Sequence, residues 1–265
     1  MSESINPARS IADSAVVITG GTSGVGLATA RAFLEAACRK VVIVGRTIER
    51  GERVRSELAK HYPDAAITFV AADANEISGA AQVVEQALAA LDGRIDVLVN
   101  STAGSYVPAL LFRTAAADIP SILTQQMMAP ILMSHAVLPV MREQRSGVIV
   151  NIASDAAKVP TPGETVIGAA MAAIVTFSRT LAMEAKRDGI RVNVLTPSLI
   201  GNTPVYDRVM GDPFAAKLFG NAAKLASLGV AEPEDLAATI LFLASPAAAR
   251  LTGQAISVNG GVSAA

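Results

Sequence analysis

The sequence has a single cysteine, Cys38, in 265 residues, which excludes an internal disulfide framework and any all-cysteine metal site. No metal is expected, and Cys38 reads as an inert thiol. Charge is scarce too: 17% of residues are charged against 51% hydrophobic, so part of the charge-poor surface is expected to be hidden in an assembly. Neither sign dominates, with 22 basic and 23 acidic residues and scattered arginines. A footprint for nucleic acid is therefore missing. The opening "MSESINPARSIADSA" has no apolar core of a secretion signal, and the longest apolar stretch, Val166 to Phe177, is shorter than the ~18 residues that suggest a membrane span. A soluble, cytoplasmic protein without a membrane partner is the expectation. No internal repeat, low-complexity tract or second domain is visible.

What the chain does have is a regular alternation. "AVVITGG" reads as a short buried strand, and "VGLATARAFLEAA" carries Leu27, Ala30 and Leu34 at helical spacing. "KVVIVG", "AITFVAAD", "IDVLVN", "GVIVNIAS", "IRVNVLTPS" and "QAISVNGG" read as further strands with helices between them, the longest running from about Ile119 to Arg145. Strands without polar alternation, separated by helices, belong to a parallel sheet covered on both faces. The fold class is thus α/β, doubly wound, as a single domain over residues 1–265 with 1–14 as an N-terminal tail. Residues 199–228 break the rhythm with Pro204, Gly211, Pro213 and Gly220. An insertion after a late strand sits over the carboxyl edge of such a sheet, where ligands bind, so this segment reads as a substrate lid.

"TGGTSGVG", residues 19–26, follows a strand and opens a helix, the context that raises a glycine pattern above chance. Gly20 permits the turn, Gly24 lets backbone approach a pyrophosphate, and Gly26 allows close packing, while Ser23 and the helix N-terminus face the anion. An acidic residue about 20 positions on usually holds the adenosine ribose. Here Gly45 and Arg46 stand at the end of the second strand. A guanidinium suits a 2′-phosphate, so NADP rather than NAD is the expected dinucleotide, a solvated loop arginine being the alternative. Asp73 is placed either to meet the adenine amino group or to serve as a plain turn carboxylate.

With "TGGTSGVG", "AAD", "DVLVNSTAG", "IVNIAS", "RVNVLTPS" and "EPEDLAATILFLASPAAARLTGQAISVNGG" in order and spacing, the chain resembles the short-chain dehydrogenase/reductase family over nearly its whole length. The resemblance implies a Rossmann-type sheet of about seven parallel strands with helices on both faces. It also implies nicotinamide cofactors, a cofactor role for Asn100, and dimers or tetramers built on two long helices and the last strand. Family members carry a Tyr and a Lys four residues apart on one helix, a Ser on the preceding strand and an Asn on the helix before. At i and i+4 the ammonium lies beside the phenol, which titrates near ~10 unaided and needs that positive charge.

Set against that pattern, Ser154 keeps the Ser, but Ile167 stands at the Tyr, Met171 at the Lys and Gln126 at the Asn. Neither Ile167 nor Met171 can exchange a proton. Losing a positioned acid or base costs typically ~10²–10⁴ in rate. The nicotinamide side is weakened as well: "NNAG" becomes Asn100-Ser101-Thr102-Ala103, and the "PG" becomes Pro197-Ser198. Replacement acids were sought in Tyr206, Asp155, Lys158, Glu164 and His135. Their blander readings are lid packing for Tyr206, loop surface for Asp155, Lys158 and Glu164, and an interface or core role for His135. Met127, Met128, Met133 and Met141 read as packing residues.

The altered helix is rich in small residues, Gly168, Ala169, Ala170, Ala172 and Ala173, and in the family it packs against a neighbouring subunit. The expectation is a catalytically silent subunit that binds no dinucleotide, or NADP weakly. It would pair, as a heterotetramer, with an active short-chain dehydrogenase paralogue that binds NAD(P). An active NADP-dependent reductase with an unusual acid, and a homomeric nucleotide or ligand sensor, are the alternatives.

Overall fold

The computed structural model describes residues 9–265. The expected alternation is present: β1 (Ala15–Thr19), α1 (Gly24–Glu35), β2 (Lys40–Gly45), α2 (Ile48–His61), β3 (Ala66–Ala71), α3 (Ile77–Ala90), β4 (Val97–Asn100), α4 (Ile119–Gln144), β5 (Gly147–Ile152), α5 (Thr165–Ala185), β6 (Ile190–Pro197), α6 (Pro204–Met210), α7 (Pro213–Leu225), α8 (Pro233–Ala244) and β7 (Ala255–Val258). The strands form one seven-stranded sheet in the order β3-β2-β1-β4-β5-β6-β7, parallel throughout. Chain direction across the sheet reverses between β1 and β4. In a doubly wound sheet the crevice for a ligand opens at that reversal, beyond the carboxyl ends of the strands.

Side chains of successive strand residues point to opposite faces, and both faces are apolar. Val16, Ile18, Val41, Ile43, Val97 and Val99 pack with Phe33 and Leu34 of α1, Leu58 of α2 and Ile240 of α8. Val17, Val42, Leu98 and Ile149 pack on the other side with Val83 of α3, Met133 and Met141 of α4, and Leu181 of α5. Covering by helices on both sides is why the strands lack polar alternation. Cys38 is buried at the edge of the first of these layers, its thiol donating to the Ser14 carbonyl at 3.2 Å. Burial pushes its pKa up, which fits an inert thiol.

Two expectations are refined. Residues 1–8 of the tail lie outside the described residues; the rest of the tail is attached rather than free, since Arg9 lies 3.9 Å from the Asp96 carboxylate and Ser14 is buried. The apolar run around α5 is longer than the sequence reading measured. Thr165–Asp188 is long and apolar enough by length and composition to cross a membrane, with 39% of that window buried. In the fold it is a layer helix, with Ala170, Met171, Ile174, Val175 and Leu181 buried against the rest of the chain.

Candidate functional site

A cleft of about 550 Å³ runs along the carboxyl edge of the sheet, from the Gly-rich turn to residues 199–225. At one end β1 stops at Thr19 and the chain turns through Gly20, whose φ is +67°. A side chain there would run into the Ser101 carbonyl, and one at Gly26 into the Gly20 carbonyl. These two glycines are thus required by the turn itself. Gly24 is required by its backbone instead, with φ at +48°, since a Cβ there would meet only Thr203 and Pro204 of the segment after β6, at 3.4 Å or more. Ser23 stands at the start of α1 with extended backbone and makes no capping bond with its side chain. The first-turn N–H groups and the Ser23 hydroxyl are therefore available to an anion at this end. The Thr102 hydroxyl is buried without a hydrogen-bond partner on a residue that also lines the cleft.

Further along, Arg46, just after β2, and Arg50, in the first turn of α2, both line the cleft. Arg46 lies 3.8 Å from the Asp73 carboxylate. The other Asp73 oxygen closes a turn, accepting from the backbone N–H and side-chain amide of Asn75 at 3.0 and 2.9 Å. Asn75 in turn accepts from the Ala129 N–H of α4. Asp73 is thus a turn carboxylate and an ion-pair partner of Arg46 at the edge of the cleft. Arg50, which the sequence pattern did not single out, lines the same cleft from the first turn of α2.

Asn100 is a correction. It is fully buried and does not line the cleft among the described residues. Thr19 donates to its carbonyl oxygen at 3.1 Å, and its amide donates to Asn151 at 2.9 Å. Asn151 donates to the Ser178 hydroxyl at 2.9 Å, which donates to the Ile174 carbonyl at 2.7 Å. This chain of bonds ties β1, β4, β5 and α5 together inside the core. With its amide oxygen and nitrogen each engaged, the Asn100 side chain ties the sheet together inside the core.

At the other end of the cleft lie Gln126, Ser154, Ile167 and Met171, so the four degenerate positions do converge. The Ser154 oxygen accepts from the Ala156 N–H at 3.2 Å. Met171 is buried in an apolar cluster with Ala153, Ile174 and Val194, joined by Met127 and Ile167. Gln126 is buried against Gly104, where an added Cβ would come within 2.8 Å of its amide nitrogen. Ala103 is exposed and lines the same cleft, as do Pro197 and Ser198.

The replacement acids separate clearly. His135 is exposed and stands outside the cleft, so it is neither a core residue nor brought to the site. Tyr206 packs with Leu199, Val209 and Phe219 in the cluster that residues 199–230 form over the cleft, as its bland reading has it. Asp155 and Lys158 are not loop surface. Asp155 is buried and accepts from Asn259 at 2.5 Å and Ser263 at 2.7 Å. Lys158 lies 3.8 Å from Asp155 and donates to Ser257 and to the Ala265 carbonyl at 2.6 and 2.5 Å. Together they fasten residues 257–265 beside Ser154. Glu164 is not loop surface either: it is part-buried and lines the cleft, and burial raises its pKa to about 7 against a smaller opposing hydrogen bond from Thr161.

The small residues of α5 also divide. Gly168 packs against the Ala156 carbonyl, where a Cβ would sit at 3.0 Å, and Ala170 is buried. Their smallness serves the chain itself. Ala169, Ala172 and Ala173 retain solvent exposure, as do Thr176 and Met183 further along.

Over residues 20–263 the chain matches the family described as enoyl-(acyl carrier protein) reductase. The chain belongs to the short-chain dehydrogenase/reductase family. It is 34% identical over 248 residues to a 3-oxoacyl-[acyl-carrier-protein] reductase of Chlamydia pneumoniae, covering 93% of this chain and 96% of that one. It is 32% identical over 259 residues to momilactone A synthase of Oryza sativa subsp. japonica, covering 97% and 92%. Among solved structures, a 3-ketoacyl-(acyl-carrier-protein) reductase from Brucella melitensis complexed with NADH superposes with a TM-score of 0.84 at 30% identity, covering 96% of this chain and 100% of that one. A levodione reductase superposes with a TM-score of 0.86 at 28% identity, covering 94% and 97%.

The family's nicotinamide dinucleotide is tested against these residues in two halves. The phosphate and adenosine half fits: an uncapped helix N-terminus, the Ser23 hydroxyl that makes no capping bond, and two arginines line the cleft there. When bound, the group supplies or accepts a hydride. The nicotinamide half offers Met171 and Ile167 in place of the lysine and tyrosine, and neither side chain can grip a ribose or move a proton.

Proposed function

We propose that this chain is the catalytically silent subunit of an NAD(P)-dependent dehydrogenase or ketoreductase assembly, stabilising or shaping an active paralogue that carries the Tyr and Lys. The observation that carries this reading is Met171, packed with Ala153, Ile174 and Val194 at the position of the family's lysine. Burying an unpaired ammonium in such a cluster is costly, so the site is adapted to an apolar side chain there. The relatives named as reductases support carbonyl–alcohol interconversion as the chemistry of such an assembly. Among such assemblies, the chain resembles the non-catalytic subunit of the heteromeric 2-[hydroxy(phenyl)methyl]succinyl-CoA dehydrogenase of anaerobic toluene degradation, and a hydroxyacyl-CoA ester is the substrate class we assign to the partner. NADP is the dinucleotide we assign to any binding by this chain, on the strength of Arg46 and Arg50, which both line the cleft. The outward Ala169, Ala172 and Ala173 of α5 supply a face for close helix approach.

The test is the native mass and subunit composition of the tagged protein purified gently from its own host. A mixed oligomer containing a short-chain dehydrogenase with Tyr and Lys supports the reading. A homo-oligomer without a second chain sinks it. One observation favours a second reading, that the chain itself reduces a carbonyl with another group as the acid: Glu164 opens on the same cleft as Ser154. Turnover of NADPH by the purified chain alone would select that reading.

A further inference from the structure

Past β7 the chain folds back on itself in a tight turn. Asn259 is buried and its side-chain oxygen accepts from the Gly261 N–H at 3.0 Å, while Gly260 and Gly261 take positive φ, +66° and +88°. The Asn259 amide also donates to the Ser263 carbonyl at 3.1 Å, which closes the turn and brings Val262 and Ser263 onto the wall of the cleft. At its centre stands a carboxylate from another part of the chain, Asp155, 5% exposed. One Asp155 oxygen accepts from both Asn259 and Ser263, at 2.5 and 2.7 Å. The other faces the Ser257 hydroxyl at 3.4 Å and the Lys158 ammonium at 3.8 Å. A buried carboxylate is tolerated only where such donors surround it, so Asp155 and the 259–263 turn depend on each other.

The outer side of the same turn meets the end of α7. Leu228 is 88% exposed, yet its backbone N–H donates to the Gly260 carbonyl at 3.0 Å. Among the described residues this is the one backbone hydrogen bond donated by residues 226–229 to a distant part of the chain; those from Ala226, Ser227 and Gly229 stay within 223–229. The two loops are also in close contact, since a Cβ on Gly260 would run into the Gly229 carbonyl and lie 3.2 Å from Ala226. Upstream of that contact, α7 lines the cleft with Leu218, Phe219, Ala222 and Leu225. The anchoring of its last turn therefore bears on how the cleft is covered.

We propose that Asp155 is a positioning residue for the lid: it holds the 259–263 turn, that turn holds the end of α7, and the wall beside Ser154 and the cover of the cleft loosen together. Asp155 makes no hydrogen bond or ion pair with α7 or with residues 226–229 among the described residues, so its influence there passes through Asn259 and Gly260. Contacts and hydrogen bonds in series carry coupling of this kind. The coupling belongs to the chain itself and needs neither turnover, a dinucleotide nor a second subunit, so it stands or falls apart from the silent-subunit reading.

The test is hydrogen–deuterium exchange of the intact purified chain, read by mass spectrometry on peptides covering 222–230 and 257–265, with α1 as the reference. In the wild type the Leu228 amide should be protected despite the exposure of its residue. Asp155→Ala strips Asn259 and Ser263 of their shared acceptor and should speed exchange in both peptides by about 10- to 100-fold, the worth of hydrogen bonds to a charged group, with α1 unchanged. Asp155→Asn keeps one oxygen for Asn259 and Ser263 and should restore most of the protection in both. Should Asp155→Ala fail to fold, Ser263→Ala decides: it removes one of the two short bonds, and both peptides should speed up by a smaller, shared factor. Faster exchange confined to 257–265 in either variant overturns the proposal, because the end of α7 would then be held by other contacts. So does a wild-type Leu228 amide that exchanges as fast as in an unfolded chain, or an acceleration in Asp155→Ala that α1 shares equally.

Discussion

Replacing Asn100 by Ala separates a structural role from a cofactor role at a position where the family resemblance suggested the latter. The side chain sits at 0% exposure between the Thr19 hydroxyl and the Asn151 amide oxygen. Truncation leaves one buried donor and one buried acceptor without partners, at about 1–3 kcal/mol each, and opens a cavity the size of an amide, which adds to the cost. Some relaxation of Asn151 toward Ser178 offsets part of this, so a loss of about 3–5 kcal/mol is expected. For a chain of this size that lowers Tm by roughly 6–20 °C. The assay is thermal unfolding followed by far-ultraviolet circular dichroism, in parallel with NADPH titration of the folded variant at low temperature. Structural reasoning expects a large drop in Tm and unchanged NADPH affinity. A drop under about 2 °C together with lost NADPH binding would refute it and return Asn100 to the ligand.

Other outcomes follow from the same geometry. Met171→Lys alone should destabilise the fold by about 2–4 kcal/mol, because the ammonium enters the cluster of Ala153, Ile174 and Val194 without an anion; an unchanged denaturant midpoint would contradict that packing. Ile167→Tyr combined with Met171→Lys should give measurable ketone reduction with NADPH where the parent chain gives none, checked by loss of absorbance at the nicotinamide band. Arg46→Ala and Arg50→Ala should each weaken NADPH binding about tenfold relative to NADH, roughly 1.4 kcal/mol of phosphate contact; equal effects on both dinucleotides would remove the arginines from the 2′-phosphate. Glu164, with its pKa raised by burial to about 7 from the ordinary 4.5 of a free glutamate, binds its proton more tightly folded than unfolded, so stability falls as pH rises through that window. Glu164→Gln should therefore gain stability over the wild type at pH 8 and show a smaller gain, or none, near pH 4, read by urea melts at both.

Much of this protein was legible along the chain because the relevant signals are local. Apolar runs bounded by turn residues gave the strands, helical spacing gave α1, and the Gly-rich turn in strand–turn–helix context gave the phosphate end of the cleft. Each depends on residues within a few positions of one another. The convergence of Gln126, Ser154, Ile167 and Met171 was also foreseeable, since the strand and helix carrying the last three are adjacent in sequence and the parallel fold sets their common edge. Asn100 shows where local reading fails. An Asn at the end of a strand looks the same whether its amide faces a ligand or a neighbouring strand, and only the pairing of β4 between β1 and β5 turns it inward.

The sequence by itself determined the layer architecture, the turn at Gly20 and the apolar pair Ile167 and Met171 on one face of α5, because these follow from residue type and short-range spacing. Tertiary structure alone decided which polar groups remain free to act. Asp155 and Lys158 are consumed by contacts with residues about 100 positions away. Gly163, next to Glu164, lies against Phe214 of α7 and accepts from Ala109, neither of which adjoins it in sequence. A side chain's chemistry is set by its solvation and its partners, and in a parallel α/β fold both come mostly from elements distant along the chain.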